Sequence, residues 1–176
     1  MKIKSITAEK NAIISIAEMM CAAARTAPKA KGVDNIETLI LTEKDKRNLV
    51  EKMRKIAKFG YRTNTFMRDA DCISKSYAVV LIGTKTSYLG LDCGFCGFTT
   101  CQNCMNAKAA CAYNAGDLGI AVSSAASVAA AFHIDNRIMY TAGFATVKFK
   151  ILGANVKIAF GIPLSTTGKN IFFDRK

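Results

Sequence analysis

Five of the seven cysteines in this 176-residue chain fall within segment 90–113, and this cluster is the part of the sequence best suited to chemistry. Their spacing is C-x-x-C-x-x-x-x-C-x-x-C with one further cysteine, formed by Cys93, Cys96, Cys101, Cys104 and Cys111. Two thiolates three residues apart can hold one metal centre from a single turn of chain. Gly94 and Gly97 allow a left-handed backbone that brings N–H donors toward the sulfurs, which stabilises a negatively charged iron–sulfur cluster. Phe95 and Phe98 are expected to shield the centre from water.

An iron–sulfur cluster of the 4Fe–4S type accounts for this spacing better than the alternatives do. A structural zinc also takes four ligands from C-x-x-C pairs, but a longer finger usually separates those pairs. Disulfides need an oxidising compartment and would leave one cysteine unpaired. Cys93, Cys96 and Cys101 belong to every sensible ligand set, and the spacing leaves Cys104 and Cys111 open as the fourth ligand.

Length and composition limit the classes of protein that this chain can be. About half of the residues are hydrophobic (51%), and no linker or internal repeat is visible, which predicts a single domain over residues 1–176. No signal peptide opens the chain and no apolar run is long enough for a bilayer, which predicts a cytoplasmic protein without a membrane partner. Cys21 and Cys72 lie among apolar residues and are expected to be free thiols of the core.

The high formal net charge of +12 is densest between Lys44 and Arg62. Apolar residues recur there at helical spacing, so the segment predicts a helix whose lysines face solvent. No nucleic-acid-binding motif accompanies the charge, so a nucleic-acid partner is not expected. No hydrolytic or phosphoryl-transfer motif is visible either, and no catalytic residue is predicted.

The elements that must position the cysteines can be predicted from periodicity and capping signals. Residues 77–83 form a continuous apolar run ending in glycine, which is typical of a strand buried on both faces. Residues 117–133 predict a helix with a face of small residues, expected to pack against a twin helix in a dimer: Ala121, Ser124, Ala125, Val128 and Ala129. The other predicted elements are a helix over 6–27 capped by Thr7, strands over 36–41 and 155–162, and the basic helix capped by Thr42. This order predicts an α+β or α/β sandwich.

Four stretches together resemble an uncharacterised prokaryotic family described as ferredoxin-domain-containing. They are CGFCGFTTC from Cys93, CAYNAGDLGIAVSSA from Cys111, DNRIMYTAG from Asp135 and GKNIFFDR from Gly168. The resemblance covers almost the whole chain, and it implies that the cysteine preceding an aromatic joins the first three as a ligand. The implied set is therefore Cys93, Cys96, Cys101 and Cys111. The resemblance implies a cluster but no particular reaction.

The remainder of the chain resembles the flavin-dependent nitroreductases. The stretches that carry this likeness are AAARTAPKA at 22–30, GDLGIAVSSAASVAAAF at 116–132 and NVKIAFGIP at 155–163. The resemblance implies a nitroreductase-like α/β sandwich with a Cys-rich iron–sulfur insert, a homodimer and bound FMN. The arginines that hold the flavin phosphate in that family have no counterpart before Ile6. The cations expected to replace them are Arg25, Lys29, Lys31 and Lys169.

These features predict an iron–sulfur redox protein, in the form of a flavin-dependent oxidoreductase whose substrate the sequence does not identify. A non-enzymatic electron carrier or iron–sulfur sensor is the alternative, and a zinc-stabilised structural module is a further one. The expected partner is a redox protein or a small-molecule electron acceptor.

Overall fold

The computed structural model describes residues 1–173, with a four-stranded sheet at the centre. The strands in chain order are β1 (Ile36–Thr42), β2 (Ala78–Lys85), β3 (Asp135–Asn136) and β4 (Val156–Ser165). They lie in the order β1-β2-β4-β3, and every neighbouring pair is antiparallel. The short β3 pairs only with the end of β4, at Leu164 and Ser165.

Strand β2 is buried along nearly its whole length because helices cover both faces of the sheet. Val80 and Ile82 belong to the core on one face, whereas Val79 and Leu81 belong to the core on the other. All four side chains are 0% exposed. Each contributes about 1.5–3 kcal/mol to stability by its burial. The predicted strand at 77–83, buried on both faces, is therefore confirmed.

The helices form the two outer layers of the sandwich. Helices α1 (Ser5–Thr26) and α5 (Ala112–Ala131) pack on one face of the sheet. On the other face lie α2 (Glu43–Lys58), α3 (Thr63–Lys75) and α6 (Tyr140–Lys148). The short α4 (Cys101–Asn106) lies within the cysteine segment. This mixed α+β sandwich is the predicted fold class. No helix within residues 1–173 is long and apolar enough to cross a membrane.

Several element boundaries differ from the prediction for local reasons. Helix α1 is capped by Lys4, whose carbonyl accepts the N–H of Thr7, so the predicted cap Thr7 lies inside the first turn. The basic helix does not reach Arg62, which has a left-handed φ of 45° and precedes α3. Helix α5 begins at Ala112, earlier than predicted, directly after Cys111. Helices α3 and α6 were not predicted, although α3 buries Phe66, Ala70 and Ile73 at helical spacing and that pattern could have indicated it.

The small-residue face of α5 packs inside its own chain, which corrects the expectation that it meets a twin helix. Ala121, Ala125 and Ala129 are 0% exposed and belong to the core that α5 shares with α1. Small side chains allow close approach of another backbone, but periodicity alone does not identify which helix approaches. The face of α5 that remains exposed carries Gly116, Gly119 and Ile120.

Candidate metal centre

The cysteine segment connects β2 to α5, and its cysteines occupy three kinds of position. Cys93 and Cys96 lie in the irregular stretch that follows β2. Cys101 is the first residue of α4, and Thr100 caps that helix by accepting the N–H of Asn103 at 3.2 Å. Cys111 occupies the N-cap position of α5. The starts of α4 and α5 therefore hold Cys101 and Cys111, the loop supplies Cys93 and Cys96, and Cys104 lies within α4.

Four cysteines converge on one small cavity of about 10 Å³: Cys93, Cys96, Cys101 and Cys111. The fifth, Cys104, is absent from that lining, and its Sγ lies 3.7 Å from the carbonyl oxygen of Ala109, to which it donates. Cys104 is also 1% exposed and packs beneath the segment. Cys104 therefore does not line the cavity, although its thiol forms a hydrogen bond with the sulfur of Cys96.

The backbone around the cavity is shaped by residues with positive φ. Gly94 has φ 70° and Gly97 has φ 84°, both in the left-handed region where a side chain would be strained. The N–H of Gly97 donates to the carbonyl oxygen of Gly94 at 2.9 Å and closes a tight turn around Cys96. Asp92 has φ 46°, and its carboxylate accepts the N–H of Cys101 at 2.6 Å, which ties the loop to the start of α4.

Backbone donors and burial give the thiols of this segment different electrostatic environments. The N–H of Phe98 donates to the sulfur of Cys96 and lowers the pKa of that thiol, and the N–H of Ala112 acts in the same direction. Burial, followed by the nearby sulfurs of Cys96, Cys111 and Cys101, raises the pKa of Cys104 to about 11. Thiolate is therefore favoured at Cys96 and disfavoured at Cys104.

The donor set fits a soft metal centre. Sulfur ligands with N–H groups directed at them are the usual environment of iron–sulfur clusters. Within residues 1–173, no three His, Cys, Asp or Glu side chains already stand as a closed metal-binding group. A cavity of about 10 Å³ has room for about one water molecule, so the loop must open when a larger group enters. Because residues 86–100 contain no helix or strand, that opening breaks no regular element.

The two phenylalanines predicted to shield the centre both line the cavity, but they differ in exposure. Phe98 is half-buried, whereas Phe95 is 68% exposed and packs against Tyr113 with ring centroids 5.4 Å apart. Leu89, which is 9% exposed, completes the apolar lining. The cavity is therefore covered on one side and open to a partner on the Phe95 side.

The two cysteines outside the segment lie on opposite faces of the sheet. Cys21 packs at the edge of the α1–α5 core and Cys72 at the edge of the α2–α3–α6 core. Burial raises the pKa of both thiols. Both are half-buried free thiols, and neither lines the cavity.

Three of the four cations predicted for a flavin phosphate have protein partners around the end of α1: Arg25 lies in its last turn, and Lys29 and Lys31 lie in the connection that follows. The Lys29 side chain is 4% exposed, and its Nζ donates to the carbonyl oxygens of Ala24, Arg25 and Ala27 at 3.2, 2.6 and 2.8 Å. Arg25 pairs with Asp34 and donates to the carbonyl oxygen of Ile36 at 2.7 Å. Lys29 therefore caps the C-terminus of α1.

Lys169 lies at the other end of the sheet from these residues. Arg25 contacts Ile36, which pairs with Thr84 at the far end of β2. The tail at Lys169 follows Ser165, whose neighbour Leu164 pairs with Ala78 at the beginning of β2. The two ends of β2 are separated by about 20 Å at 3.3 Å per residue. The four predicted cations therefore do not meet at one phosphate within one chain.

Two contacts that the sequence did not suggest join the 25–31 connection to α5 and to the loop that leads into the cysteine segment. The Asp117 carboxylate on α5 is buried and accepts the N–H of Ala30 at 3.1 and 3.2 Å. The Nζ of Lys31 donates to the carbonyl oxygen of Leu89 at 3.0 Å. These contacts place the predicted cation Lys31 beside the lining of the cavity. Their partners are 58 and 87 residues apart in sequence, so no local pattern could have indicated them.

Comparison with known structures identifies the fold. A nitroreductase from Saccharomyces cerevisiae superposes with a TM-score of 0.61 at 9% identity, covering 89% of this chain and 83% of that one. A nitroreductase with bound FMN from Desulfitobacterium hafniense DCB-2 gives a TM-score of 0.60 at 12% identity, with 88% and 78% covered. At such low identity the likeness shows the nitroreductase-like fold alone.

Comparison of sequences identifies the family. An uncharacterised protein from Archaeoglobus fulgidus is 39% identical over an alignment of 176 positions, which covers 94% of this chain and 94% of that one. The model of a family described as uncharacterised proteins containing a ferredoxin domain matches residues 107–175. That match includes Cys111 and begins after the other four cysteines of the segment. The chain therefore belongs to the family of uncharacterised proteins that contain a ferredoxin domain.

Proposed function

We propose that this chain is a redox protein whose 4Fe–4S cluster is held by Cys93, Cys96, Cys101 and Cys111. The observation that carries the proposal is the convergence of these four cysteines on one cavity from a loop and two helix ends. Membership of a ferredoxin-domain family supports it. When bound, such a cluster supplies one-electron transfer.

The residues around the cavity fit this role. Phe98 and Leu89 exclude water from one side, and the N–H groups of Phe98 and Ala112 direct positive charge toward the sulfur of Cys96. Asp92 fixes the start of α4 and therefore the position of Cys101. The exposed Phe95 leaves one side accessible to an electron donor or acceptor. The chain thus supplies four cysteine ligands, apolar side chains that exclude water on one side of the cavity, and one exposed side that a redox partner can reach.

FMN as a second cofactor is part of the same proposal and requires two chains. The fold is that of nitroreductases, one of which carries bound FMN. Because Lys169 and the 25–31 connection lie at opposite ends of the sheet, a phosphate held by all four predicted cations would need two subunits. The exposed face of α5 around Gly116, Gly119 and Ile120 is a candidate contact for such a homodimer. A flavin-free electron carrier or sensor remains the alternative function, and a zinc module the alternative to the cluster.

Anaerobic purification with iron, acid-labile sulfide, zinc and flavin analysis tests the proposal. We expect about four iron and four sulfide per chain. The matched variants are Cys111→Ser and Cys104→Ser. Cys111→Ser should lose the cluster, because its sulfur faces the cavity, while Cys104→Ser should retain it.

A bleached Cys104→Ser protein beside a loaded Cys111→Ser protein contradicts this ligand set, and stoichiometric zinc without sulfide contradicts the cluster. Flavin content decides between the oxidoreductase and the flavin-free carrier. A monomer by light scattering at micromolar concentration counts against the two-chain flavin site.

A further inference from the structure

Two neighbouring cavities lie along the first half of β4 and meet at Lys157. The larger, here the apolar basin, has a volume of about 370 Å³ and lies between α6 and β4. The smaller, here the polar basin, has a volume of about 90 Å³ and lies between β2, β4 and the start of α5. Lys157 and Ile158 line both basins. The two basins are therefore adjacent.

The apolar basin exists because the first half of β4 has no strand beside it on that edge. Among residues 1–173, β3 pairs only with Leu164 and Ser165, and Met139 bridges Gly161. Helix α6 approaches this edge at Gly143, where a Cβ atom would lie 1.7 Å from the carbonyl oxygen of Ala159. Helix α6 touches β4 at Gly143, and the apolar basin lies beside this contact, between α6 and the first half of β4.

The walls of the apolar basin suit a flat apolar body. Phe144 and Phe160 contribute aromatic rings, and Val147 contributes an aliphatic side chain. Phe144 is held by stacking on Tyr61, with ring centroids 5.1 Å apart. The hydroxyl of Tyr140, another lining residue, is buried without a hydrogen-bond partner among residues 1–173. A volume of about 370 Å³ lies within the range of about 300–1,000 Å³ that is usual for small-molecule sites.

The polar basin suits an anionic group. Its lining includes Lys108, Lys157, two threonines and the buried amide of Asn114. The Asn114 amide is fixed, since its Nδ2 donates to Thr84 Oγ1 at 2.8 Å and its Oδ1 accepts the N–H of Ser87 at 3.3 Å. Neither basin is lined by a carboxylate, and Lys148 adds a further cation to the apolar basin. The charge of the groove is therefore positive along its length.

The polar basin also adjoins the candidate metal centre. Ala109 and Ala110 line it and immediately precede Cys111 in the chain. The carbonyl oxygen of Ala109 accepts the hydroxyl of Tyr88 at 2.9 Å and the thiol of Cys104 at 3.7 Å. A ligand in this basin would therefore contact the same short stretch of backbone that carries Cys111.

We propose that the two basins form one groove that binds a small anionic molecule with a flat apolar body. The anionic group pairs with Lys157 and Lys108, and the body lies against Phe144 and Phe160. Binding itself is independent of the cluster. The further assignment of this molecule as the electron donor or acceptor rests on the proposed redox function.

Calorimetry with two probes of matched shape tests the groove. Naphthalene-2-sulfonate is anionic, and naphthalene-2-sulfonamide is neutral with the same body. We expect saturable one-to-one binding of the sulfonate to the anaerobically purified protein. Lys157→Gln should weaken the sulfonate about tenfold and the sulfonamide less than twofold, because hydrogen bonds to charged groups contribute about 1.5–3 kcal/mol. Phe144→Ala should weaken both probes to a similar degree, and Lys55→Gln, an exposed cation on α2 outside both basins, should leave both unchanged.

Absence of sulfonate binding overturns the proposal. Equal weakening of sulfonate binding in Lys157→Gln and Lys55→Gln also overturns it, because such a result would reflect the net charge of the protein alone. Iron and sulfide are measured on the same samples. A loaded protein that does not bind the sulfonate refutes the groove only. A protein without a cluster that binds it through Lys157 supports the groove and counts against the proposed function.

Discussion

Replacing Lys29 by methionine distinguishes a structural role of this residue from the phosphate contact that the sequence predicted. Methionine keeps an unbranched apolar side chain of similar length and removes the ammonium. The side chain is only 4% exposed, and its Nζ donates to three carbonyl oxygens at the end of α1. Loss of a charged donor to buried acceptors costs about 1.5–3 kcal/mol per hydrogen bond, although three bonds to one ammonium are not additive.

We therefore expect Lys29→Met to lower the free energy of unfolding by about 2–4 kcal/mol. For a chain of this length each kcal/mol shifts the unfolding midpoint by about 2–4 °C, so the midpoint should fall by roughly 5–15 °C. Thermal unfolding followed by far-ultraviolet circular dichroism, at matched iron content, measures the shift. Lys55→Met is the control, because Lys55 is exposed on α2 and its midpoint should change by less than 2 °C or so.

An unchanged midpoint in Lys29→Met, together with lost FMN binding, would refute the capping role and restore the predicted phosphate contact. A lowered midpoint with FMN binding retained would exclude Lys29 as a phosphate ligand. The two readouts separate the two roles because one reports the folded state and the other reports the ligand.

Three further predictions follow from the packing and charge of the fold. Gly143→Ala should prevent stable folding or cost more than about 3 kcal/mol, because its Cβ would meet the carbonyl oxygen of Ala159 at 1.7 Å. Gly119→Ala on α5 is the matched test, because open space surrounds that position. This substitution should raise the free energy of unfolding by about 0.5–1 kcal/mol. A lowered free energy of unfolding would instead place that face of α5 in an interface. Burial acts to raise the pKa of Asp34, but hydrogen bonds from Arg25 and the Ile36 N–H outweigh it and lower that pKa. Because the pKa of Asp34 is lower in the folded state, its carboxylate stabilises the fold at pH values above the ordinary carboxyl pKa. This contribution is lost as the pH falls below about 4. Urea unfolding of the wild-type chain and Asp34→Asn between pH 7 and pH 3 should show the two stabilities converging, and a constant difference would contradict this.

Several features of the chain could be read from the sequence because they depend on local chemistry. The spacing of Cys93, Cys96 and Cys101 predicts a metal centre from thiol chemistry alone, and the structure brings all three to one cavity. The apolar run of β2 indicates burial on both faces, because no polar face remains to meet water. The family and the sandwich fold could also be recognised, since several motifs recur in a fixed order along the chain. Such features need no knowledge of which element packs against which.

Only the tertiary structure decided which groups meet. Spacing left Cys104 and Cys111 equivalent, whereas the turn of α4 directs Cys104 into the protein and the N-cap of α5 places Cys111 at the cavity. Periodicity identified a small-residue face on α5, but the partner that covers Ala121 and Ala125 is α1 of the same chain. A helical pattern shows that a face is apolar without showing what covers it.

The cations show the same limit most clearly. Composition shows that a lysine is charged, but its long side chain takes whichever acceptor the fold brings within reach. Lys29 turned back onto the end of its own helix, and Lys31 reached Leu89 at the cysteine segment. Lys169, close to the end of the chain, follows a strand that runs away from both. The charge of a lysine is fixed by its residue type, whereas the group that it contacts is fixed by the packing of the whole chain. Contacts between residues far apart in sequence exist only after the sheet and helices have assembled.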